Sequence, residues 1–506
     1  MDLQTEKKSY EVEKQHKKGK LHAIERIAQL ADPGSFHEFG SGIRNQTEAF
    51  GLKKGSAAYD GVITGYARIN GRPVVLYAQD FTVLAGTLGQ MHGKKIAHAI
   101  RMAIENRCPV IGINDSGGAR IQEGVDALAG YGDIFYYNTL ASGYIPQISI
   151  IAGNCAGGAA YSPGITDFVF MVEGISNMYI TGPRVVEAVL HQKVAQGDFG
   201  GAPMHNRKSG VVHRSCEKES QCYEQVRRLL SLIPHYYGDR APLQEALEQE
   251  RSLSDSRIAG ILPERRASVY NMRDVIKEVV DPDTFFEIQE KFAENIIVGF
   301  GKLQGRTIGV VANQPYHMGG VLDVDSSVKA ARFVRYCDSF DIPLVTLVDV
   351  PGFMPGLDQE EKGIIRHGAK LLYAYSESTV PKITVILRRA YGGAYIAMAS
   401  KHLGADFVYA WQGAEIAVMG EEPAVEILFR RELSSLEGAE KLERFRELTQ
   451  AYRRQVMNAD TAVQQGYVDE ILAPEETRSR IISDLRFLEQ KTKLTDVKKK
   501  HGNLPL

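Results

Sequence analysis

The sequence predicts an α/β protein built from two copies of one domain, and three observations support this. The stretch "TGYARINGR" (Thr64–Arg72) resembles "VGFGKLQGR" (Val298–Arg306) at an offset of 234 residues. At an offset of 235, the pair Gly157-Gly158 falls on Gly392-Gly393. In both copies, apolar runs of strand length alternate with segments of helix length. An inherited duplication explains all three.

The repeat places the domain boundaries. We predict a first domain over residues 1–245 and a second over residues 263–506. A polar, turn-rich stretch at residues 235–260 spans their junction and is typical of a linker. The last residues, 498–506, are expected to be extended.

Strands and helices follow from the periodicity of apolar residues. The strand candidates are continuously apolar, which is typical of parallel sheets covered on both faces. Helix-length segments between them predict right-handed crossover connections. The clearest strands lie at residues 109–115, 148–154, 343–349 and 383–389, and the clearest helices at 93–107 and 326–340.

Composition excludes several classes of function. The chain has 506 residues, with 60 basic and 62 acidic side chains, so no overall field favours nucleic acid or membrane. The N-terminus is charged and lacks the apolar core of a signal peptide. No apolar run reaches the roughly 18 residues that a membrane helix needs. Five scattered cysteines predict reduced thiols in a cytoplasmic protein.

Two Gly-Gly pairs are the first candidates for chemistry. Gly157-Gly158 and Gly392-Gly393 each lie between a buried strand and a helix. Glycine admits a close ligand, and the first N–H groups of a helix have no internal partner. Such a turn forms an oxyanion hole, or it is only a helix start inherited by duplication. The residues alone leave both interpretations open.

Two Gly-rich segments, 115–124 and 349–356, end strands at the edge where α/β sheets bind ligands. Neither has the pattern of a phosphate loop, and no nucleophile elbow occurs. Ser116 and Ser162 lack an identifiable base, and no residues have metal-ligand spacing. Asp115 and Asp349 are expected to cap helices or turns.

The remaining polar candidates are Arg388, Arg389 and His367. The arginines either meet an anion or form ion pairs, and His367 is expected to be a packed or surface residue of a helix. The chain therefore offers many backbone donors and almost no acid, base or nucleophile. This predicts chemistry whose reactive atoms come from the substrate or a cofactor.

Five long motifs resemble those of the carboxyltransferase subunits of biotin-dependent acyl-CoA carboxylases, especially the propionyl-CoA carboxylase β chain. The similarity covers nearly the whole chain and implies two crotonase-like domains of the ClpP/crotonase β-β-α superhelix type. The motifs are "DSGGARIQEGVDAL" (115–128), "CAGGAAYSP" (155–163), "VLDVDSSVKAARFVRYCDSFDIPLVTLVDVPGF" (321–353), "GIIRHGAKLLYAYSEST" (363–379) and "YGGAYIAMASKHLGAD" (391–406).

The resemblance implies transfer of CO₂ between carboxybiotin and the α-carbon of a short-chain acyl-CoA such as propionyl-CoA or acetyl-CoA. It implies that Gly157 and Gly158 donate to the thioester oxygen, and Gly393 and Ala394 to the biotin oxygen. No metal is implied. The acyl-CoA residues would be Ser116, Gly117, Gly118, Ala119, Arg120, Ala156, Tyr161 and Ile396, and the biotin residues Gly352, Phe353, Tyr391 and Gly392.

The resemblance also implies partners. Biotin would be carried by a separate subunit or domain, because the chain has no Met-Lys-Met biotinylation motif. The expected partners are a biotin carboxylase and a biotin carboxyl carrier. Copies of the chain would form a hexamer, a trimer of dimers, with each site between the first domain of one protomer and the second domain of another. No nucleic acid is expected.

Several positions depart from the family pattern: Asn154, His317, Gln412, Gly413 and Glu421–Pro423. Two alternatives therefore stay open. One is the carboxyltransferase subunit of a sodium-pumping decarboxylase, such as one for methylmalonyl-CoA, which would meet the membrane only through a partner. The other is a non-catalytic CoA-binding paralog that serves assembly. A single-domain hydratase or isomerase would need a carboxylate base, and we identify none.

Overall fold

A computed structural model of the chain describes residues 11–244, 257–266 and 268–491. The backbone divides into two compact units, which we call unit 1 (Met1–Pro242) and unit 2 (Leu243–Leu506). Residues 245–256 of the predicted linker and the predicted extended tail lie outside the described residues. The domain limits at 245 and 263 stay predictions.

Unit 1 contains an eight-stranded sheet in the order β1-β2-β3-β4-β5-β6-β8, with β7 paired to β5. The two pairings β1–β2 and β2–β3 are antiparallel, and the others are parallel. The strands are β1 (His37–Phe39), β2 (Val62–Ile69), β3 (Arg72–Gln79), β4 (Val110–Ser116), β5 (Gln147–Ala156), β6 (Phe168–Val172), β7 (Asn177–Tyr179) and β8 (Arg214–Cys216).

The helices of unit 1 connect these strands and cover the sheet. In the helix Gln90–Glu105, buried Ile96, Ile100 and Ala103 recur at helical spacing and join the core. The helices are α1 (11–16), α2 (Ala23–Leu30), α3 (Gln90–Glu105), α4 (Val125–Ala141), α5 (Gly158–Ile165), α6 (Pro183–Leu190), α7 (Gln196–Gly200), α8 (Ala202–Met204) and α9 (Glu219–Leu230).

Unit 2 repeats the same sheet, in the order β9-β10-β11-β12-β13-β14-β16 with β15 paired to β13. Each strand has its counterpart in unit 1, and the same two pairings at the β9 edge are antiparallel. The strands are β9 (Phe286–Ile288), β10 (Ile296–Leu303), β11 (Arg306–Asn313), β12 (Leu344–Val350), β13 (Lys382–Tyr391), β14 (Phe407–Trp411), β15 (Glu415–Ala417) and β16 (Glu470–Leu472).

The helices of unit 2 also follow those of unit 1, with a larger set after β15. They are α10 (Met272–Val279), α11 (Val324–Ser339), α12 (Leu357–Glu361), α13 (Ile364–Glu377), α14 (Gly392–Ala397), α15 (Glu421–Leu428), α16 (Arg430–Ser434), α17 (Gly438–Val456), α18 (Ala459–Gln464) and α19 (Thr477–Phe487). Among the described residues, no helix is long and apolar enough to cross a bilayer.

The central strands confirm the expectation of a sheet covered on both faces. Every residue of β4 and β12 is buried. The predicted strands and the helices at 93–107 and 326–340 are confirmed with small shifts of their ends. The helix after Gly392 is short and ends at Ala397. Ala399 has φ of +53°, and its carbonyl accepts the Thr384 hydroxyl, so the backbone leaves the helix there.

His92 on α3 makes the stability of unit 1 sensitive to acid. Its ring is fully buried between the carbonyl of Asp60 and the amide of Gln79. Burial lowers the pKa of His92 from 6.5 to about 3. Between these values the unfolded chain binds a proton that the folded chain does not, so this contribution is complete above pH 6.5 and is lost as the pH falls toward 3.

We therefore expect the unfolding free energy to fall on acidification, with His92 contributing up to about 1.4 kcal/mol per pH unit. Urea unfolding at several values between pH 7 and pH 4 measures the slope. The variant His92→Gln should flatten it by about one proton. His98→Gln is the matched control, because His98 is exposed on the same helix. Equal slopes in the wild type and His92→Gln would contradict the assignment.

Candidate active site

Two loops at the carboxyl edge of each sheet bring predicted site residues together. In unit 1, one loop follows β4 and the other follows β5, and these strands are parallel neighbours. Both loops therefore start at the same edge. They abut closely, since a Cβ on Gly118 would lie 3.0 Å from the carbonyl oxygen of Ala156.

The two glycines of the turn after β5 differ in their hydrogen bonds. Gly157 has φ of +64°, and its N–H donates to the carbonyl of Tyr179 in β7 at 3.0 Å. This N–H, one of the predicted thioester donors, therefore already has an acceptor within the fold. Gly158 begins α5, and its N–H has no acceptor among the described residues. Gly158 is the donor that the turn leaves free.

The loop after β4 also leaves the amide of Ala119 free. Three of its amides already have acceptors: the N–H of Gly117 donates to the Ala85 carbonyl (3.0 Å), that of Gly118 to Ser116 Oγ (3.1 Å) and that of Arg120 to the Leu88 carbonyl (2.8 Å). Ala119 is the exception, because its N–H meets no acceptor within the described part of the chain. The free amides of unit 1 at this edge thus include Ala119 and Gly158.

Arg120, a predicted acyl-CoA residue, has its side chain engaged within the fold. Its side chain is 1% exposed and forms ion pairs with Asp60 at 2.5 Å and Glu123 at 2.7 Å. It also donates to the carbonyl of Thr87. These contacts tie Arg120 into the base of the loop, so it supports Ala119 and is not positioned to contact substrate. Tyr161, by contrast, is half-exposed on α5.

Unit 2 repeats this arrangement at β12 and β13. The bridge between Leu322 and Phe353 uses the Gly352 carbonyl (3.0 Å) and the Met354 N–H (2.6 Å), and leaves the N–H of Phe353 without an acceptor among the described residues. Gly392 has φ of +60° and makes the turn. In the described structure, the amides of Gly393 and Ala394 in the first turn of α14 also lack acceptors.

The predicted pocket residue Ile396 lies one turn further along α14 and is 38% exposed. The repeat offset places it on Tyr161 of unit 1. Both side chains therefore occupy the same position relative to the free amides of their unit. Tyr391 precedes the turn, and its hydroxyl donates to Glu415. Burial raises the pKa of Tyr391.

Two equivalent aspartates lie beneath these loops. The prediction that Asp115 and Asp349 cap helices or turns is wrong, because both are buried in ion pairs. In unit 1, Lys20 (2.6 Å) and Arg26 (3.1 Å) neutralise Asp115. In unit 2, Arg388 (2.9 Å) and Arg389 (2.8 Å) neutralise Asp349, which decides the open question of these arginines in favour of ion pairing.

One departure in unit 2, Glu421, belongs to a charged cluster that the sequence did not reveal. Glu415 receives Arg453 at 2.8 Å, and Arg266 pairs with both Glu415 and Glu421. Arg266 donates to the Tyr391 hydroxyl, which in turn donates to Glu415. The cluster therefore holds the residue that precedes the turn. The other departures have different surroundings. Asn154 accepts from Gln196, and His317 faces Glu294. Gln412 and Gly413 border a cavity of about 700 Å³, and Pro423 is in the first turn of α15.

The hydroxyl and imidazole candidates have other partners. Ser116 Oγ accepts the Gly118 N–H, and the Ser162 hydroxyl donates to Asn138. His367 lies on the surface of α13 beside Arg366. Within the described ranges, no three His, Cys, Asp or Glu side chains converge as metal ligands. What the edge of each sheet presents is backbone N–H groups.

Comparison with known proteins identifies the family. The carboxyl transferase domain matches residues 14–504. The chain is 50% identical over 492 residues to the propionyl-CoA carboxylase carboxyltransferase subunit of Haloferax mediterranei, covering 97% of this chain and 95% of the relative. It is 47% identical over 495 residues to the α subunit of methylmalonyl-CoA decarboxylase from Propionigenium modestum, covering 98% and 95%.

A solved structure agrees. Transcarboxylase 12S, determined as a hexamer with methylmalonyl-coenzyme A and methylmalonic acid bound, superposes with a TM-score of 0.93 at 44% identity, covering 98% of this chain and 94% of its own. The predicted pair of crotonase-like domains is thereby confirmed. The chain belongs to the carboxyl transferase domain family and is a carboxyltransferase of the acyl-CoA carboxylase type, as its motifs predicted.

Proposed function

We propose that the chain moves a carboxyl group between biotin and the α-carbon of a short-chain acyl-CoA, with propionyl-CoA and acetyl-CoA as the first candidates. One observation carries the proposal: each sheet edge presents unengaged N–H groups on two adjoining loops, and the serine and histidine candidates nearby have other partners. Such a site stabilises negative charge on an oxygen and leaves proton transfer to another molecule.

In unit 1, the amides of Ala119 and Gly158 would donate to the thioester oxygen. Negative charge on that oxygen grows when the α-carbon loses a proton or a carboxylate, so the two donors act most strongly at that moment. Losing one donor of this kind costs about 10²–10³ in rate. The other predicted loop residues, Ser116, Gly117 and Gly118, would hold the loop in place.

In unit 2, the amides of Phe353, Gly393 and Ala394 would donate to the carbonyl oxygen of biotin. The free amides and the half-buried Phe353 ring fit a flat polar ring with one exposed oxygen. Biotin, carried by a partner, would supply the carboxyl group and the base for proton transfer. Tyr391 and Gly392 would hold the turn, since the Tyr391 hydroxyl is bound by Glu415 and Arg266.

We further propose a hexameric assembly that works with a biotin carboxylase and a biotin carboxyl carrier. The hexamer described for transcarboxylase 12S supports the first part, and the names of the propionyl-CoA carboxylase relatives support the second. A second candidate is a decarboxylase subunit, favoured by the 47% identity to the Propionigenium modestum protein. The partner decides the direction, because the same amides stabilise the same charge both ways.

The test is decarboxylation of methylmalonyl-CoA or malonyl-CoA by the purified chain with free biotin. We expect the shorter acyl-CoA to form only when biotin is present. Binding of acyl-CoA without any turnover would instead indicate the non-catalytic paralog. Co-purification with a biotin carboxylase or with a multi-span membrane subunit distinguishes the carboxylase from the decarboxylase.

Ile396 is expected to limit the length of the acyl chain. The variant Ile396→Ala should raise kcat/KM for ethylmalonyl-CoA relative to malonyl-CoA by about 10-fold, because a pocket methylene is worth about 1–3 kcal/mol. Ile427→Ala is the control, since Ile427 is 65% exposed on α15. An unchanged ratio in Ile396→Ala would remove this residue from the acyl pocket.

A further inference from the structure

A single aromatic ring lies against the donor turn in each unit. In unit 1 it is Tyr131 of α4: a Cβ on Gly158 would lie 2.9 Å from one of its ring carbons. Tyr131 is 4% exposed, and its hydroxyl end lies beside Ser116, whose Oγ accepts the Gly118 N–H. One ring thus spans from the turn to the base of the donor loop.

In unit 2 the ring comes from the loop itself. Phe353 lies between Gly393, whose added Cβ would be 3.9 Å from the ring, and Gly368 of α13, whose added Cβ would be 3.0 Å away. Gly368 occupies the helix position that Tyr131 has in unit 1, because the buried residues that follow have the same spacing. These are Ile134 and Asn138 after Tyr131, and Leu371 and Tyr375 after Gly368.

The two units therefore combine one large and one small residue in opposite ways. Unit 1 has Ala119 on the loop and Tyr131 on the helix, whereas unit 2 has Phe353 on the loop and Gly368 on the helix. In unit 2 a second ring would overlap the first, since a Cβ on Gly368 would already lie 3.0 Å from the Phe353 ring. The ring fills the space between the two strands' loops in both units.

We propose that this ring is a positioning residue that sets the separation of the two donor amides, and that the units supply it from opposite sides. The proposal rests on the proposed function and adds to it the residue that holds the two donor amides at their separation. The Tyr131 ring is buried and touches no ligand, and the small Ala119 leaves room beside its amide for a bulky thioester. The Phe353 ring is half-exposed and also forms a wall for the ligand of unit 2.

The exchange can be tested in unit 2 with the full chain. Phe353→Ala removes the ring, and Gly368→Tyr adds a second ring to the same space. Each is expected to lower kcat for biotin-dependent decarboxylation about 10- to 100-fold, the scale expected when donors move by about 1 Å. The double variant Phe353→Ala/Gly368→Tyr restores one ring and should recover to within about threefold to tenfold of the wild type. A double variant no better than the worse single variant overturns the proposal.

Unit 1 provides an independent test that does not depend on a new ring. Tyr131→Phe should keep kcat within about twofold, because it removes only the hydroxyl and keeps the ring that lies against Gly158. Tyr131→Ala should lower kcat about 10- to 100-fold while KM for the thioester changes little. Ile134→Ala is the matched control, since it opens a cavity on the same buried face of α4 away from Gly158.

The outcomes separate positioning from simple loss of core packing. We expect Ile134→Ala to lower Tm as Tyr131→Ala does and to keep its kcat. Equal losses of kcat in the two alanine variants, or a normal kcat in Tyr131→Ala, overturn the proposal for unit 1. An inactive wild type would overturn the proposed function and this inference with it, whereas these patterns in an active enzyme overturn the inference alone.

Discussion

Replacing Gly393 by proline is expected to lower kcat for biotin-dependent decarboxylation by about 10²–10³-fold, the cost of one oxyanion donor. Proline has no N–H, so the variant deletes a single amide hydrogen. The Gly393 amide has no acceptor in the described structure, and no internal hydrogen bond is lost. The measured loss therefore reports on stabilisation of the bound ligand.

The position tolerates the ring of proline. Gly393 is in the first turn of α14, where proline fits the helix and its missing N–H would be unpaired in any case. Its φ is negative, unlike that of Gly392, and an added Cβ meets only the Phe353 ring at 3.9 Å, an ordinary contact. We expect the Tm of Gly393→Pro to stay close to that of the wild type.

Gly393→Ala is the matched control, because it adds the Cβ and keeps the N–H. It should retain most of kcat, and the difference between the two variants isolates the amide. Equal losses in both would show that space and not hydrogen bonding matters at this position. A normal rate in Gly393→Pro would remove Gly393 from the site and leave Phe353 and Ala394 as the donors to examine.

The fold could be predicted from sequence because the duplication repeats the same pattern of strands and helices in both halves of the chain. Apolar runs that are ambiguous singly gain support when they recur at a constant offset, as the strands at 109–115 and 343–349 do. The short length of α14 was not predictable in the same way. It depends on the left-handed backbone of Ala399 and the hydroxyl of Thr384, a contact between distant residues.

Sequence indicated the loops at the sheet edges, but not which of their groups already have partners within the fold. Sequence cannot show that the Gly157 amide is used by Tyr179, because β7 joins the sheet only in the folded chain. It also cannot show that Arg120 is enclosed by Asp60 and Glu123, since a motif arginine looks the same whether it binds a ligand or supports a loop.

The repeat also aligns charged residues that are buried in the fold. Lys95 falls on Lys329 at the offset of 234, and the structure shows the reason. Both are buried, and each ammonium donates to backbone carbonyls: those of Tyr59 and Val62 for Lys95, and those of Gln289, Phe292, Ala293 and Ile296 for Lys329. They hold the segments that lead into β2 and β10.

The second large effect is expected from Arg26→Met, which should lower the unfolding free energy by about 3–5 kcal/mol, the cost of breaking a buried ion pair from one side. Arg26 on α2 is 1% exposed and pairs with Asp115 at 3.1 Å and Glu219 at 2.8 Å. Its guanidinium also donates to the carbonyl of Ala152 at 2.7 Å. Methionine fills much of the volume and satisfies none of these acceptors.

Urea unfolding measures the loss, and an exposed pair provides the control. Arg101→Met on α3 removes a partner of Glu105 at 3.6 Å, where both side chains are about half exposed, and should change stability by less than about 1 kcal/mol. A loss in Arg26→Met as small as this control would contradict the assignment of a buried ionic cluster.

A double variant separates the two causes of the loss. If the cost is the unpaired carboxylate of Glu219, then Arg26→Met/Glu219→Gln should be more stable than Arg26→Met alone, because the neutral amide is cheaper to bury than a charge. If the cost is lost packing, the second substitution adds to the first. Asp115 keeps Lys20 in both variants at 2.6 Å. We expect recovery, because Glu219 would otherwise retain only the Tyr223 hydroxyl and the Leu21 amide as donors.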